Sequence, residues 1–132
     1  MSLYRTVLVT GASAGFGLAI CKKLASEGYR VIAAARRQDR LERLSENYSG
    51  MILPLKLDVC DFEAVDAVID SLPDDFRNVD VLINNAGLAL GQDKAFACEL
   101  KDWQTMVDTN IKGLLNITHK LLPLMVERNR GY

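Results

Sequence analysis

Residues Thr10–Gly17 read TGASAGFG, straight after the apolar run Val7-Leu8-Val9. Thr6 to Thr10 (TVLVT) is short, apolar and β-branched and stops at a glycine, which is the pattern of a buried strand. From Phe16 the spacing changes: Phe16, Leu18, Ala19, Ile20, Leu24 and Ala25 recur at helical intervals, and Gly28 stops the helix. Three glycines therefore occupy a strand-to-helix turn. A helix N-terminus offers unpaired N–H groups and a partial positive charge, which suits a pyrophosphate. Close approach needs backbone without side chains, so Gly11 turns the chain, Gly15 admits the phosphate, and Ser13 and Phe16 flank it. Gly17, one turn in, is expected to let the helix pack tightly on the sheet. The spacing is G-x3-G-x-G rather than the commoner G-x-G-x-x-G. A merely structural glycine turn is the competing reading, and the flanking strand and helix weigh against it.

The same alternation continues along the chain. Arg30 to Ala35 (RVIAAA) reads as a second buried strand, Arg37 to Asn47 as a charged helix with Leu41 and Leu44 inward, and Met51 to Leu57 as a third strand. Pro54 removes a ladder donor from that strand and marks it as an edge. Asp61 to Leu72 is a helix with Asp61 as its N-cap, and Val79 to Ile83 is a fourth strand. A loop from Leu88 to about Glu99 leads into a helical region from Lys101 to Arg128. Such alternation implies right-handed βαβ units in an α/β, doubly wound, Rossmann-like parallel sheet of order 3-2-1-4. Ligands bind such sheets where the strand order reverses, beyond the carboxyl ends of the first and fourth strands. The glycine stretch sits at that edge.

Bulk properties narrow the function. A chain of 132 residues has single-domain length, and residues 1–132 are read as one dinucleotide-binding domain. A net charge of -1 gives no electrostatic case for nucleic acid or an anionic membrane. No apolar run approaches the ~20 residues that cross a bilayer, and the N-terminus lacks the pattern of a signal peptide. Met1-Ser2-Leu3 reads equally as a native start or an added leader. Cys21, Cys60 and Cys98 are odd in number and far apart, and His119 is the single histidine, so no metal site is expected. Reduced thiols in or near the core of a cytoplasmic protein account for them.

The end of the second strand, Ala33-Ala34-Ala35-Arg36-Arg37, speaks to which dinucleotide fits. A carboxylate there would accept from the ribose 2′-hydroxyl of NAD. Two guanidiniums stand in its place, and their fixed donor forks suit a 2′-phosphate, so NADP is the expected cofactor. The alternative, two solvated charges opening a helix, leaves the missing acid unexplained.

TGASAGFG, Asp58-Val59 after the third strand, Asn84-Asn85-Ala86-Gly87 after the fourth and Thr109-Asn110 in the following helix together resemble the short-chain dehydrogenase/reductase family. Within it, Leu88-Ala89-Leu90-Gly91 and the segment from Asp102-Trp103 to Gly113 are similar to NADP-dependent 3-hydroxy acid (serine-type) dehydrogenases. The resemblance implies an oxidoreductase that passes hydride between nicotinamide and a small alcohol or carbonyl. It implies that Asp58 accepts from the adenine amino group with Val59 beside the ring, unless Asp58 only starts the next turn. Asn85, Ala86 and Gly87 line the adenosine, or Asn85 ties strand ends together; both roles are compatible. Asn110 matches an asparagine that supports a proton relay through water.

The family's acid/base pair is Tyr-x-x-x-Lys, aided by a serine. Tyr4, Tyr29 and Tyr48 fall in the wrong elements, none has Lys four residues on, and Tyr132 is the last residue. The expectation is a cofactor-binding half that stops before a fifth strand and has no turnover alone. A non-catalytic nucleotide-binding or interaction module ending at Tyr132 is the other reading. The stretch Ile111 to Val126 is apolar on more than one face, so it is expected to be buried on two sides, with a kink at Pro123; the resemblance implies that the second side packs on a partner subunit of a homo-oligomer. The open side of the fourth strand is expected to present unpaired backbone.

Overall fold

The computed structural model describes residues 5–132, so Met1-Ser2-Leu3 and Tyr4 lie outside the described residues. Four strands, β1 (Thr6–Thr10), β2 (Arg30–Ala35), β3 (Ile52–Lys56) and β4 (Val81–Ile83), form a parallel sheet of order β3-β2-β1-β4. Leu8 stands opposite Ile32 on one side and Leu82 on the other, and Ile32 opposite Leu53. Pro54 lies in β3, on the outer edge, where its missing donor leaves no ladder bond broken.

Helices cover both faces, so consecutive strand residues bury in opposite directions and the strands read as unbroken apolar runs. Leu8, Ile32 and Ala34 pack with Val65 and Ile69 of α3 (Phe62–Asp70) and with Ile117, Leu121 and Met125 of the C-terminal helix. Val7, Val9, Val31, Ala33 and Ala35 pack with Cys21 and Ala25 of α1 (Gly15–Ser26) and with Leu41 and Leu44 of α2 (Gln38–Glu46). Burial pushes the Cys21 thiol up to about 12, so it behaves as a small hydrophobe. The Asp61 side chain caps α3, accepting from Ala64 N–H at 3.0 Å.

The helical region after the loop runs without a break, as its spacing implies, but it is not α-helical throughout. It consists of α4 (Leu100–Val107), a widened π-type turn (Asp108–Gly113) and α5 (Leu114–Glu127), within which Pro123 lies. A wide turn inserts one residue without breaking the helix, which hydrophobic spacing does not reveal. Lys120 of α5 bridges Asp66 (2.8 Å) and Asp70 (2.7 Å) of α3, and its bonds to these carboxylates hold the ammonium above the usual lysine range. Among the described residues one face of α5 is covered: Ile117, Leu121 and Met125 are buried, whereas Leu115, Leu122 and Val126 are exposed.

The outer edge of β4 departs from expectation. Tyr132 N–H donates to the Asp80 carbonyl and its own carbonyl accepts from Leu82 N–H, both at 2.9 Å. The chain's last residue has thus begun to pair alongside β4 instead of leaving that edge bare. Asp80 organises this corner. Its buried carboxylate accepts from the Arg5 and Thr6 N–H groups at 3.0 and 3.1 Å through one oxygen and pairs with Arg130 Nε at 3.0 Å through the other. Arg128 donates to the Val79 carbonyl at 2.6 Å. Asp80→Ala strips two backbone donors and a guanidinium of their acceptor, so urea unfolding is expected to show a loss of roughly 2–4 kcal/mol.

Candidate functional site

The carboxyl ends of β1 and β4 separate at the reversal of strand order, and Thr10 and Asn85 tie them together. The Thr10 hydroxyl accepts from the N–H groups of Asn85 (3.0 Å) and Ala86 (2.9 Å) and donates to the Ile83 carbonyl (3.4 Å). In return, Asn85 Nδ2 donates to the Thr10 and Gly11 carbonyls at 3.1 and 3.2 Å. Of the two roles expected for Asn85, the tie between strand ends is the one its side chain performs, and the residue also stands on the wall of the cavity described below.

The glycines follow from this tie. Gly11 has φ +66°, and a Cβ there would lie 2.9 Å from both Ala86 Cα and Asn85 Nδ2. A Cβ on Gly17 would run into the Gly11 carbonyl and come within 2.5 Å of Asn85 Nδ2. The close packing expected of Gly17 is therefore against the loop's own backbone and Asn85, rather than against the sheet at large. Gly15 differs: its φ is +55° and nothing lies within 4 Å of its missing Cβ, so its open side faces free space. No side chain caps α1 at Ala14, and no acidic residue occupies its first turn. The N–H groups of that turn remain available to an outside anion.

A cavity of about 580 Å³ opens over these ends. Its lining includes Gly11, Ser13, Gly15 and Phe16 of the glycine turn, Arg36 and Arg37 after β2, and Asp58, Val59, Asn85, Ala86 and Gly87. Arg37 Nη2 donates to Ser13 Oγ at 3.3 Å, so the second guanidinium reaches back over the glycine turn. Asp58 Oδ1 accepts from Cys60 N–H at 3.0 Å, which makes it the residue that starts the next turn as well as part of the cavity wall. Gly17 lies behind the wall.

Asn110 also stands off the wall. It sits in the widened turn, and its amide engages one residue at both ends: Oδ1 accepts from Leu88 N–H and Nδ2 donates to the Leu88 carbonyl, both at 2.8 Å. This clamp sets the segment leaving β4, and Leu88 itself lines the cavity. Cavity residues that sequence reading missed include Thr105, Asp108 and Cys60, and Thr109, quoted there only as part of a motif, lines the cavity too. Proximity in sequence to Asn110 and Asp58 signals Asp108, Thr109 and Cys60; nothing signals Thr105. Cys60 Sγ donates to the Asp108 carbonyl at 3.4 Å and meets Thr109 Oγ1 at 3.5 Å. Burial pushes this thiol up, and the carboxylates of Asp58 and Asp108 add to the effect.

Chemically, the site has an anion-seeking helix terminus at one end, a doubly cationic corner beside it and a small-residue slot leading away. Among the described residues no group of three or more His, Cys, Asp or Glu side chains is placed to hold a metal ion. No described helix is long and apolar enough to cross a membrane.

The chain is similar in sequence and fold to known proteins. The chain is 52% identical over 126 residues to a probable NADP-dependent dehydrogenase of Haemophilus influenzae, and 51% identical over 123 residues to serine 3-dehydrogenase of Rhizobium radiobacter. These matches take in 96% and 93% of this chain but 50% and 49% of the relatives, so the chain spans about half the length of the curated relatives it matches. The crystal structure of serine dehydrogenase from Escherichia coli superposes with a TM-score of 0.93 at 47% identity, covering 96% of this chain and 58% of that one. A closed form of serine dehydrogenase complexed with NADP+ superposes equally well, with a TM-score of 0.93, 47% identity and coverage of 96% and 51%. The family model described as short chain dehydrogenase matches residues 5–132. The chain belongs to the short-chain dehydrogenase family.

Proposed function

We propose that this chain binds NADP(H) and is the cofactor-binding domain of an oxidoreductase acting on a small alcohol or carbonyl, of the 3-hydroxy acid class. The observation that carries the reading is the cationic corner: Arg36 and Arg37 both line the cavity straight after β2, Arg37 bonded to Ser13, and no acid follows Ala35 before Gln38. A 2′-phosphate brought there meets one guanidinium already held near a hydroxyl, that of Arg37, and a second beside it. The pyrophosphate fits the α1 terminus, where Gly15 leaves room for it and Gly11 and Gly17 admit no Cβ. Asp58, Val59, Ala86 and Gly87 suit the adenosine, with Asn85 fixing the edge from behind. The substrate class is drawn from the names of the relatives, several of which are NADP-dependent 3-hydroxy acid dehydrogenases.

When bound, the nicotinamide supplies or takes up the hydride. What this chain's own residues do is bind and orient. Asn110 positions Leu88 through both ends of its amide and so shapes the wall leading from the adenosine end. Proton transfer at a substrate oxygen calls for an acid/base group, and the sequence holds no Tyr with Lys four residues on. In our reading the acid/base work belongs to a region of the whole protein outside residues 1–132. The exposed apolar face of α5, with Leu115 and Leu122, fits a second copy of the chain in a cytoplasmic homo-oligomer.

Three outcomes test these points. Wild type is expected to bind NADPH more tightly than NADH by fluorescence titration. Arg36→Ala with Arg37→Ala should erase that preference by about 10- to 100-fold while sparing NADH, as the loss of charge-assisted hydrogen bonds requires; equal affinities in wild type would remove the NADP reading. The 132-residue chain alone is expected to bind dinucleotide without reducing 3-oxo acids, and steady turnover in a purified sample would refute the division of labour. By light scattering the chain alone should be larger than a monomer, with Leu115→Lys and Leu122→Lys shifting it down. A monodisperse wild-type monomer would count against assembly through α5.

A further inference from the structure

Val59 stands on the cavity wall in a turn between β3 and α3 that belongs to no strand or helix. Such a segment has no sheet ladder to fix it, yet its side chain is buried. Its restraints come from the far side. Asn116 of α5 donates from Nδ2 to the Val59 carbonyl at 2.8 Å, across 57 residues of sequence. Gly113, at the end of the widened turn, lies so near that a Cβ on it would come 2.6 Å from Val59 Cγ2 and 3.3 Å from Val59 Cβ. One contact pulls on the backbone of the turn and the other bears on its side chain. Val is β-branched and stiff at χ1, so a push on Cγ2 moves the residue instead of merely rotating it.

We propose that Asn116 is a positioning residue for the adenosine end of the bound dinucleotide, acting through Val59, with Gly113 giving the clearance that lets it do so. The proposal rests on the NADP(H) reading and refines it: α5, behind the wall, sets where the wall stands. Removing the Asn116 donor frees the Val59 carbonyl, and an acceptor in its place repels it. Adding a methyl at Gly113 drives Val59 toward the cavity. Both changes disturb the adenosine end and leave the far end of the site alone.

The test uses three probes on the intact protein by isothermal titration: NADPH, 2′-phospho-ADP-ribose and reduced nicotinamide mononucleotide. Asn116→Asp preserves size and reverses the polarity facing the carbonyl. It is expected to weaken NADPH and 2′-phospho-ADP-ribose in parallel, by roughly three- to tenfold, the worth of one hydrogen bond, and to leave the mononucleotide unchanged. Gly113→Ala is expected to act the same way on wild type but to lose its effect on a Val59→Ala background, where the methyl has nothing to push. Unchanged affinity of Asn116→Asp for both adenosine probes would overturn the proposal. So would an equal loss for all three probes, which marks general unfolding, or a full Gly113→Ala effect persisting without Val59. If wild type itself ignores 2′-phospho-ADP-ribose, the NADP reading falls and this proposal falls with it, an outcome distinct from failure of the variants alone.

Discussion

The exchange of hydrogen bonds between Thr10 and Asn85 is the constraint on which the site depends. Two parallel strands that neighbour each other but lead to helices on opposite faces must part at their carboxyl ends, and the parting leaves backbone groups without ladder partners. The Thr10 hydroxyl and the Asn85 amide supply those partners, closing four bonds to backbone N–H and carbonyl groups within 3.2 Å. Once Asn85 Nδ2 lies against the Gly11 carbonyl, side chains at positions 11 and 17 are excluded by contact. Two of the three glycines are thus consequences of the tie. The third, Gly15, meets no such contact and answers to backbone conformation, a demand Gly11 shares at φ +66°, and to the space in front of it.

That division explains why the sequence was informative about the turn and less so about its reasons. Glycine, β-branched alternation and helical spacing are local signals, and they placed β1, α1, β2 and α3 to within one or two residues, with Asp61 capping as its type and position imply. The arginines at the end of β2 were likewise legible, because their absence from a strand and the lack of an acid are both local facts. Asn85 was readable as a residue at the site, but the choice between lining and tying depends on a partner 75 residues earlier. No window of sequence contains both.

The widened turn from Asp108 to Gly113 shows the same limit from another side. An extra residue in a helix leaves the apolar spacing on either side intact, so the region from Lys101 onward reads as one helix. What holds the turn open is long-range: Asn110 is gripped by Leu88 at both ends of its amide, and Gly113 is pressed on Val59. The pairing of Tyr132 with β4 was missed for a related reason. Its two backbone bonds carry no side-chain signature, and Asp80, which anchors the corner through Arg5, Thr6 and Arg130, reads in sequence as a polar residue within the strand from Val79 to Ile83, whereas β4 begins after it.

These long-range contacts converge on α5. Its covered face enters the core through Ile117, Leu121 and Met125, its flank is fastened to α3 by Lys120 between Asp66 and Asp70, and its first turn meets the cavity wall through Asn116. Its remaining face leaves Leu115 and Leu122 more than half exposed, at 57% and 53%. Fully burying a leucine is worth about 1.5–3 kcal/mol, so the uncovered face forgoes a stabilisation comparable to that of a polar contact such as the Asn116 bond. A surface laid over Leu115 and Leu122 would steady the helix from which Asn116 holds Val59. In this fold, covering α5 and shaping the cavity wall are therefore coupled mechanically, because one rigid helix takes part in both.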